Sequence, residues 1–401
     1  MSVYSSSNKK HIAVLGSTGS VGTQVLSVIS SYPDQFNVVG LTADSNWERL
    51  LSQSNEFCIE WAMLSDQDAK KEAFPMFKRE GIDLLESNEN LKLRFNQGKL
   101  DLLVGCSSGT EALSVIWKAL KDGISVALAN KEILIVAGHL LKEAARESGA
   151  KIIPMDSEHA AIDRALRSIG NHHKELKRII ITSSGGPFRT LPKSDFHSVP
   201  MEQVMDHPVW KMGQKITVDS ATLINKGFEL IEACVLFDVP MDRLDVWIHP
   251  EGYVHGAIEL TDGHMVWVLS NPDMCFPIGY ALFYPDIPFK PKSRFVPFGK
   301  RFSFFPPDEE RFPALRLARN AFSRSIFSVI WLVGANKVLV DSFLRETIRF
   351  VDIISYLEQI MEKVNYLEQL RTDTVDSVQN LLDRVDELTR AFLKHKEINN
   401  L

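Results

Sequence analysis

The sequence predicts an α/β protein: an N-terminal doubly wound (Rossmann-like) parallel sheet, a central α+β domain and a C-terminal helical domain. Three observations predict it. Short apolar runs alternate with helical periodicity up to about residue 155, the pattern of parallel strands joined by crossover helices. A glycine-rich turn, Gly16 to Gly22, follows the first of those runs. Beyond a proline-rich stretch the pattern is helical to the end of the chain.

Taken in order, His11–Leu15 (HIAVL) reads as the first strand, Thr23–Ser30 as a helix and Phe36–Leu41 as the second strand. Further strand-like runs lie at Cys58–Leu64, Leu100–Val104, Ile124–Ala129 and Lys151–Met155, with helical patterns at Gly109–Lys121 and Lys131–Ser148. Arg178–Thr182 is a buried-type strand, and Val246–His249, Tyr253–Glu259 and His264–Leu269 continue the strand signal. Between Tyr284 and Pro313, Pro285, Pro288, Pro291, Pro297, Pro306 and Pro307 alternate with phenylalanines. Proline at that density excludes a helix, so this stretch reads as a linker wrapped on other domains. Val375, Val378, Leu381, Leu382, Val385, Leu388 and Phe392 give the clearest helical stripe. Boundaries are expected at 155/156, 284/285 and 313/314.

A chain of 401 residues is too long for one compact domain. Its 45% hydrophobic and 24% charged content is ordinary for a globular protein. A net charge of −6 without any basic block argues against a nucleic-acid partner. Cys58, Cys106, Cys234 and Cys275 are scattered; they fit a reducing compartment and offer neither a zinc site nor a disulfide framework. The N-terminal MSVYSSSNKK lacks the apolar core of a signal peptide, and no apolar run reads as long enough to span a bilayer. A cytoplasmic enzyme with no membrane partner is the expected class.

Gly16, Gly19 and Gly22 form GxxGxxG rather than GxGxxG. Glycine lets the backbone approach a pyrophosphate seated on a helix N-terminus, and a first strand in an alternating domain is the right context for it. The alternative is a glycine turn with no ligand. Asp44, after the second strand, is the candidate for a ribose-binding acid, and no basic residue for a 2′-phosphate is evident. Residue chemistry leaves NAD and NADP both open.

The segment QKITVDSATLINKGFE, Gln214 to Glu229, holds Ser220, Asn225, Lys226 and Glu229 on what reads as one amphipathic helix. At about 100° per residue, Thr222, Asn225, Lys226, Glu229 and Glu232 share a side. A stripe of amide, ammonium and carboxylate can grip an anionic, metal-bound ligand; the plain alternative is a solvated face. Asp156 and Glu158 follow the strand Lys151–Met155 and, in extended backbone, would point the same way. Converging carboxylates, with Glu229 as a third, suit Mg²⁺ or Mn²⁺ over structural zinc. Alternatively Asp156 or Ser157 caps the next helix, with Glu158 in its first turn. Ser183-Ser184-Gly185-Gly186-Pro187-Phe188 is an anion nest or a plain turn. Met201–Gly213 carries His207, Trp210 and Met212 around Pro208; its aromatic can close over a substrate or dock in the core.

The strings LGSTGSVG, ANKE, DSEH, SSGGPF, HPVWKMGQKITVDSAT and NKGFE occur in this order. With them the chain resembles the 1-deoxy-D-xylulose 5-phosphate reductoisomerases of non-mevalonate isoprenoid synthesis, over nearly its whole length. The resemblance implies an NADPH-binding domain (1–155), a catalytic and dimerisation domain (156–284) with a lid loop at 201–213, a linker (285–313) and a helical domain (314–401). It implies a homodimer, a small phosphorylated sugar as substrate, and metal ligation by Asp156, Glu158 and Glu229. Cofactor contacts are implied for Thr18, Gly19, Ser20, Val21, Asn46, Asn130, Glu132 and Gly213. Substrate contacts are implied for Lys131, Ser157, Glu158, Ser184, His207, Ser220, Asn225, Lys226 and Glu229, with Trp210 as the covering lid aromatic. Glu158 is expected to assist proton transfer near the metal, and Lys131 to polarise and orient the substrate.

Three departures stand out. Asp44-Ser45 replaces the glycine and lysine that relatives often carry, HPEG (His249–Gly252) replaces HPQS, and VGANK (Val333–Lys337) replaces NAANE. The first touches the grip on the 2′-phosphate, and the other two touch architecture more than chemistry. Two rival readings are a metal-independent aldehyde dehydrogenase, which needs an activated cysteine such as Cys106, and a dinucleotide sensor without turnover.

Overall fold

The computed structural model describes residues 9–95, 100–170, 173–210, 212–291, 293–364 and 370–399. The start of MSVYSSSNKK and the lid residue Lys211 lie outside the described residues. The chain forms two compact units. The first comprises Met1–Ile133, His139–Ala160 and Asp273–Lys292, and the second Leu134–Gly138, Ala161–Pro272 and Ser293–Leu401.

The first unit is built on seven strands: β1 (Lys10–Leu15), β2 (Phe36–Ala43), β3 (Trp61–Leu64), β4 (Asp83–Leu85), β5 (Leu102–Gly105), β6 (Ser125–Leu128) and β7 (Ile152–Pro154). They lie in the order β4-β3-β2-β1-β5-β6-β7, and every pairing is parallel. Crossover helices cover both faces of such a sheet, so its strands are apolar throughout; Ile12, Ala13, Val14, Leu102, Leu103 and Val104 are all fully buried. Strand order reverses at β1, between β2 and β5, which opens a crevice at the carboxyl ends of β1 and β5. β4 escaped the sequence reading because three residues (DLL) are too few to show a period.

The helix Cys275–Leu282 and the stretch after it belong to this first unit. Lys10 Nζ donates to the Leu282 carbonyl at 3.0 Å, Phe283 meets the rings of Tyr32 and Phe36 at 4.9 Å each, and Phe289 lies over Gly279, where a Cβ would come within 2.4 Å of the ring. The proline-rich stretch is therefore divided: its start belongs to the first unit and its remainder to the second.

The second unit contains β8 (Leu176–Ser183), β9 (Leu244–Ile248), β10 (Val254–Leu260) and β11 (Met265–Leu269), ordered β11-β10-β8-β9. Phe305, from the linker, exchanges backbone hydrogen bonds of 2.8 and 2.9 Å with Ile248 of β9. The helices after Pro313 belong to this same unit. Ala314–Arg324 packs on Ile224–Phe237 through Gly227, where a Cβ would lie 2.7 Å from that of Ala318. Helix Ile326–Leu344, contrary to the sequence reading, is long and apolar enough to cross a bilayer, but 83% of its apolar window is buried inside the protein. It is the central helix of a helical cluster formed with Phe350–Val364 and Val375–Asn399.

The segment Gln214 to Glu229 is not one helix. Gln214–Ala221 and Ile224–Phe237 are separate, joined at Leu223 in the left-handed region (φ 61°). That conformation costs a non-glycine residue roughly 1–2 kcal/mol, and burial of Leu223 to 3% exposure offsets it. The polar stripe is not a solvated face either: Lys226, Glu229 and Glu232 are 4%, 1% and 2% exposed.

Candidate active site

The nucleotide loop is held by contacts that sequence periodicity does not show. Gly16 has φ 75°, and a Cβ there would lie 2.7 Å from the Ser107 nitrogen after β5. The loops following β1 and β5 therefore touch backbone to backbone at the switch point. A Cβ on Gly22 would stand 2.2 Å from the Gly16 carbonyl, so the helix Ser20–Ser30 can start this close only with glycine. Gly16 and Ser17 donate their backbone N–H groups to Thr42 Oγ1 (3.1 Å) and to the Thr42 carbonyl (2.8 Å). Ser17 Oγ donates to Gln53 Oε1 at 2.8 Å. Gly19 is the N-cap of Ser20–Ser30 and makes no side-chain cap, and the first turn carries no acidic residue. Gly19 and Ser20 are exposed and Thr18 and Val21 half-buried, and the uncapped N–H groups of a helix's first turn are the donors an anionic pyrophosphate needs.

Asn46 and Asn130 both serve as caps. Asn46 Oδ1 accepts from the Arg49 N–H (3.1 Å) at the start of Trp47–Phe57. Asn130 Oδ1 accepts from Ile133, and its Nδ2 donates to the carbonyls of Ser107 (2.6 Å) and Gly109 (2.5 Å). Asn130 thus braces the β5 loop against the helix that begins at Lys131, with Glu132 in its first turn. Gly213 belongs to the second unit, as N-cap of Gln214–Ala221. Sequence reasoning passed over two residues on the elements flanking this loop. Arg49 is exposed one turn beyond Asp44, itself exposed at the end of β2, and the Ser107 hydroxyl is buried without a hydrogen-bond partner among the described residues.

In the first unit, Lys131 and Asp156 follow the neighbouring strands β6 and β7 and form an ion pair at 2.5 Å. Lys131 is only 5% exposed. Glu158 lies in the first turn of helix Ser157–Ser168, hydrogen-bonded by the Ser157 hydroxyl. The backbone at Glu158 is therefore helical, the placement weighed beside the extended one, yet the expected convergence holds: carboxylate oxygens of Asp156 and Glu158 lie within 4.8 Å of each other.

In the second unit, three residues predicted separately come together. His207 Nε2 lies 3.1 Å from Ser220 Oγ and 3.3 Å from Ser184 Oγ. His207 Nδ1 accepts the backbone N–H groups of Val209 (3.2 Å) and Trp210 (2.9 Å), so in the neutral ring the proton is on Nε2. Burial, and behind it the Lys226 ammonium, hold His207 down at about 4, so the ring is neutral at physiological pH. Its Nε2–H is then given to a serine oxygen, which leaves the serine O–H to donate to an anion. Gly185 and Gly186 adopt φ 85° and 69°, and a Cβ on Gly186 would lie 2.7 Å from the Ser220 carbonyl. The SSGGPF turn after β8 is thus pressed against the end of Gln214–Ala221.

On the next helix, Glu229 accepts from Asn225 Nδ2 at 2.6 Å and from the Lys226 ammonium. A hard carboxylate, an amide and an ammonium are collected within two turns, two of them buried. Trp210 is half-buried, its ring 6.2 Å from that of His255. The thiol of Cys106 is pushed up to about 12 by desolvation, which removes the thiolate that an aldehyde dehydrogenase reading requires.

A doubly wound parallel sheet with a glycine-rich turn after its first strand, and a second unit that clusters two hydroxyls on an imidazole, define the class of dinucleotide-fold enzymes. Three family profiles match: 1-deoxy-D-xylulose 5-phosphate reductoisomerase over residues 12–138, its C-terminal domain over 152–237, and the DXP reductoisomerase C-terminal domain over 269–392. The chain is 38% identical to the 1-deoxy-D-xylulose 5-phosphate reductoisomerase of Sulfurihydrogenibium sp. strain YO3AOP1, covering 96% of this chain and 98% of that one. It is 39% identical to that of Chlamydia caviae, covering 96% and 99%. A solved DOX-P reductoisomerase in complex with NADPH, fosmidomycin and magnesium is 31% identical with a TM-score of 0.91, covering 97% and 99%. The Zymomonas mobilis enzyme in complex with NADPH is 31% identical with a TM-score of 0.87, covering 96% and 99%. The chain belongs to the 1-deoxy-D-xylulose 5-phosphate reductoisomerase family.

Proposed function

We propose that this protein converts 1-deoxy-D-xylulose 5-phosphate to 2-C-methyl-D-erythritol 4-phosphate with NADPH and Mg²⁺ or Mn²⁺, in non-mevalonate isoprenoid precursor synthesis. The observation that carries the reading is the gathering of Ser184, His207 and Ser220 beside a helix that buries Lys226 and Glu229. Asp156, Glu158 and Glu229 are the proposed metal ligands. All three are hard oxygen donors, the type that suits these cations, and lysines already balance two of them (Lys131 on Asp156, Lys226 on Glu229). The uncapped, acid-free start of Ser20–Ser30 and the glycine contacts around it suit the cofactor pyrophosphate. When bound, the metal supplies Lewis-acid stabilisation of the oxyanion that develops as the C3–C4 bond breaks, and NADPH supplies the hydride for the rearranged aldehyde.

The protein's own groups position and neutralise. Ser184, Ser220, Asn225 and Lys226 fix the substrate phosphate, with the His207 Nε2–H holding one serine oxygen so that its O–H turns outward. Lys131 and Ser157 orient the sugar oxygens, and Glu158 moves a proton at the reacting hydroxyl. Thr18, Gly19, Ser20, Val21 and Gly213 line the cofactor, while Asn46, Asn130 and Glu132 shape the turns around it. The lid, 201–213, closes Trp210 over the substrate and keeps water from the cleaved fragments. The protein acts as a homodimer, supported by β11: a sheet-edge strand whose apolar residues Met265–Val268 are only half-buried. Four free cysteines accord with a reducing, cytoplasmic setting.

The reading is tested by following NADPH absorbance with 1-deoxy-D-xylulose 5-phosphate, with and without Mg²⁺ or Mn²⁺. Metal-dependent oxidation is expected; folded protein that gives none with either metal overturns it. Arg49 supplies the cation that Ser45 does not, since an arginine near the end of β2 can hold a 2′-phosphate. Arg49→Ala is expected to lower the NADPH-over-NADH preference by roughly 10- to 100-fold, the scale of one or two charge-assisted hydrogen bonds. An unchanged ratio of kcat/KM for the two cofactors would remove Arg49 from the site.

A further inference from the structure

Asp219 directly precedes Ser220 and is 2% exposed. A buried carboxylate is tolerated only when it is paired and hydrogen-bonded, and Asp219 is held on two sides. Lys215 Nζ, one turn earlier on the same helix, lies 2.6 Å from Oδ2. Asn336 Nδ2, from the buried helix Ile326–Leu344, donates to Oδ1 at 2.8 Å. Asn336 is fully buried, and its Oδ1 has no hydrogen-bond partner among the described residues. An apolar residue would pack there without leaving a buried carbonyl oxygen unsatisfied. The amide is thus specified by what its Nδ2 does for Asp219.

Lys215 lies on the same helix and only balances the charge; the Asn336 bond ties Asp219 to another helix and so sets the rotation of Gln214–Ala221 about its own axis. Ser220 stands about 100° further round that helix, where its hydroxyl meets His207 at 3.1 Å. There is little slack on that side, because the Ser220 carbonyl abuts the Gly186 backbone. A small rotation of the helix would displace the Ser220 hydroxyl from His207 and from the Ser184 turn together.

We propose that Asp219 and Asn336 are positioning residues for the substrate phosphate: their buried hydrogen bond aims the Ser220 hydroxyl, which makes the C-terminal helix Ile326–Leu344 part of the phosphate site. The proposal rests on the reading of Ser220 as a phosphate ligand. Neither residue touches the substrate. VGANK, which the sequence assigned to architecture, thereby acquires a functional asparagine.

The test compares wild type, N336L, N336D and the exchanged pair D219N/N336D. Inorganic phosphate affinity is read by calorimetry, and KM and kcat by NADPH oxidation. N336L is expected to weaken phosphate binding and raise KM by about tenfold while kcat stays within about twofold. N336D, which sets two carboxylates against each other, shifts in the same direction. The exchanged pair restores the hydrogen bond with reversed polarity and is expected to recover phosphate affinity to within about threefold of wild type. Wild-type phosphate affinity in folded N336L, even with a lowered Tm, overturns the proposal, as does an exchanged pair no better than N336D. Should N336L fail to fold, N336D against the exchanged pair decides alone. Wild-type protein that binds phosphate yet does not reduce the sugar phosphate overturns the proposed function, and calorimetry still decides the positioning role. Wild type that binds no phosphate overturns the positioning role.

Discussion

Glu229→Gln is expected to lower kcat by roughly 10³-fold at saturating Mg²⁺, since a Lewis acid held in place supplies several kcal/mol and about 4 kcal/mol corresponds to that factor. Glutamine matches the volume of glutamate and keeps a carbonyl acceptor for Lys226, so the helix Ile224–Phe237 is expected to stay packed. What is lost is the negative charge. Glu229 is 1% exposed and already accepts from Asn225 and Lys226; a neutral amide there leaves the cationic side of the pocket dominant and repels a divalent ion. The measurement is turnover against Mg²⁺ concentration, with circular dichroism on the same sample. Glu229→Asp, which keeps the charge and shortens its reach, is expected to fall between the two. Near-normal turnover of Glu229→Gln at saturating Mg²⁺ would sink the ligand assignment.

Glu229 also shows where sequence reasoning stops. The residue types at the site are legible because ligand chemistry dictates them: carboxylates for a hard cation, serines and a lysine for a phosphate, glycines where backbone must approach backbone. The surroundings are not. Periodicity puts Lys226, Glu229 and Glu232 on one side of a helix but cannot tell a buried polar stripe from a solvated face, because both place polar residues together. Nor does it show the corner at Leu223, since leucine is an ordinary helix residue whose left-handed conformation is stabilised only by tertiary burial. Spacing leaves Glu158 either extended beside Asp156 or in the first turn of a helix, and the helix beginning at Ser157 decides for the second. The alternating strands and helices of the first unit were legible because a parallel sheet needs long apolar runs and crossovers. β4 was not, being only three residues long. Arg49, the proposed 2′-phosphate partner, is not legible beside Asp44 because Asn46 starts a helix that carries it a turn further on. Asn336 looked architectural because its partner, Asp219, is distant in sequence.

Lys226→Ala separates the two duties that converge on this helix. An ammonium has three donors, so one lysine can face a carboxylate and a phosphate together. If Lys226 binds the phosphate equally in the ground and transition states, its loss raises KM by about 10- to 100-fold, the scale of a charge-assisted hydrogen bond, and leaves kcat within about threefold. If it serves only to neutralise Glu229, KM for the sugar phosphate is unchanged and the Mg²⁺ concentration needed for half-activation shifts instead. Neutralisation alone is a weak use for a lysine that is 4% exposed, because burying a matched pair returns little net stability. Asn225 remains on Glu229 in the variant at 2.6 Å, so the carboxylate keeps a donor and the helix is expected to fold. Steady-state kinetics in the sugar phosphate and in Mg²⁺ on one preparation distinguish the cases. A raised KM with an unchanged metal requirement is the expected result, and an unchanged KM would withdraw Lys226 from the phosphate site.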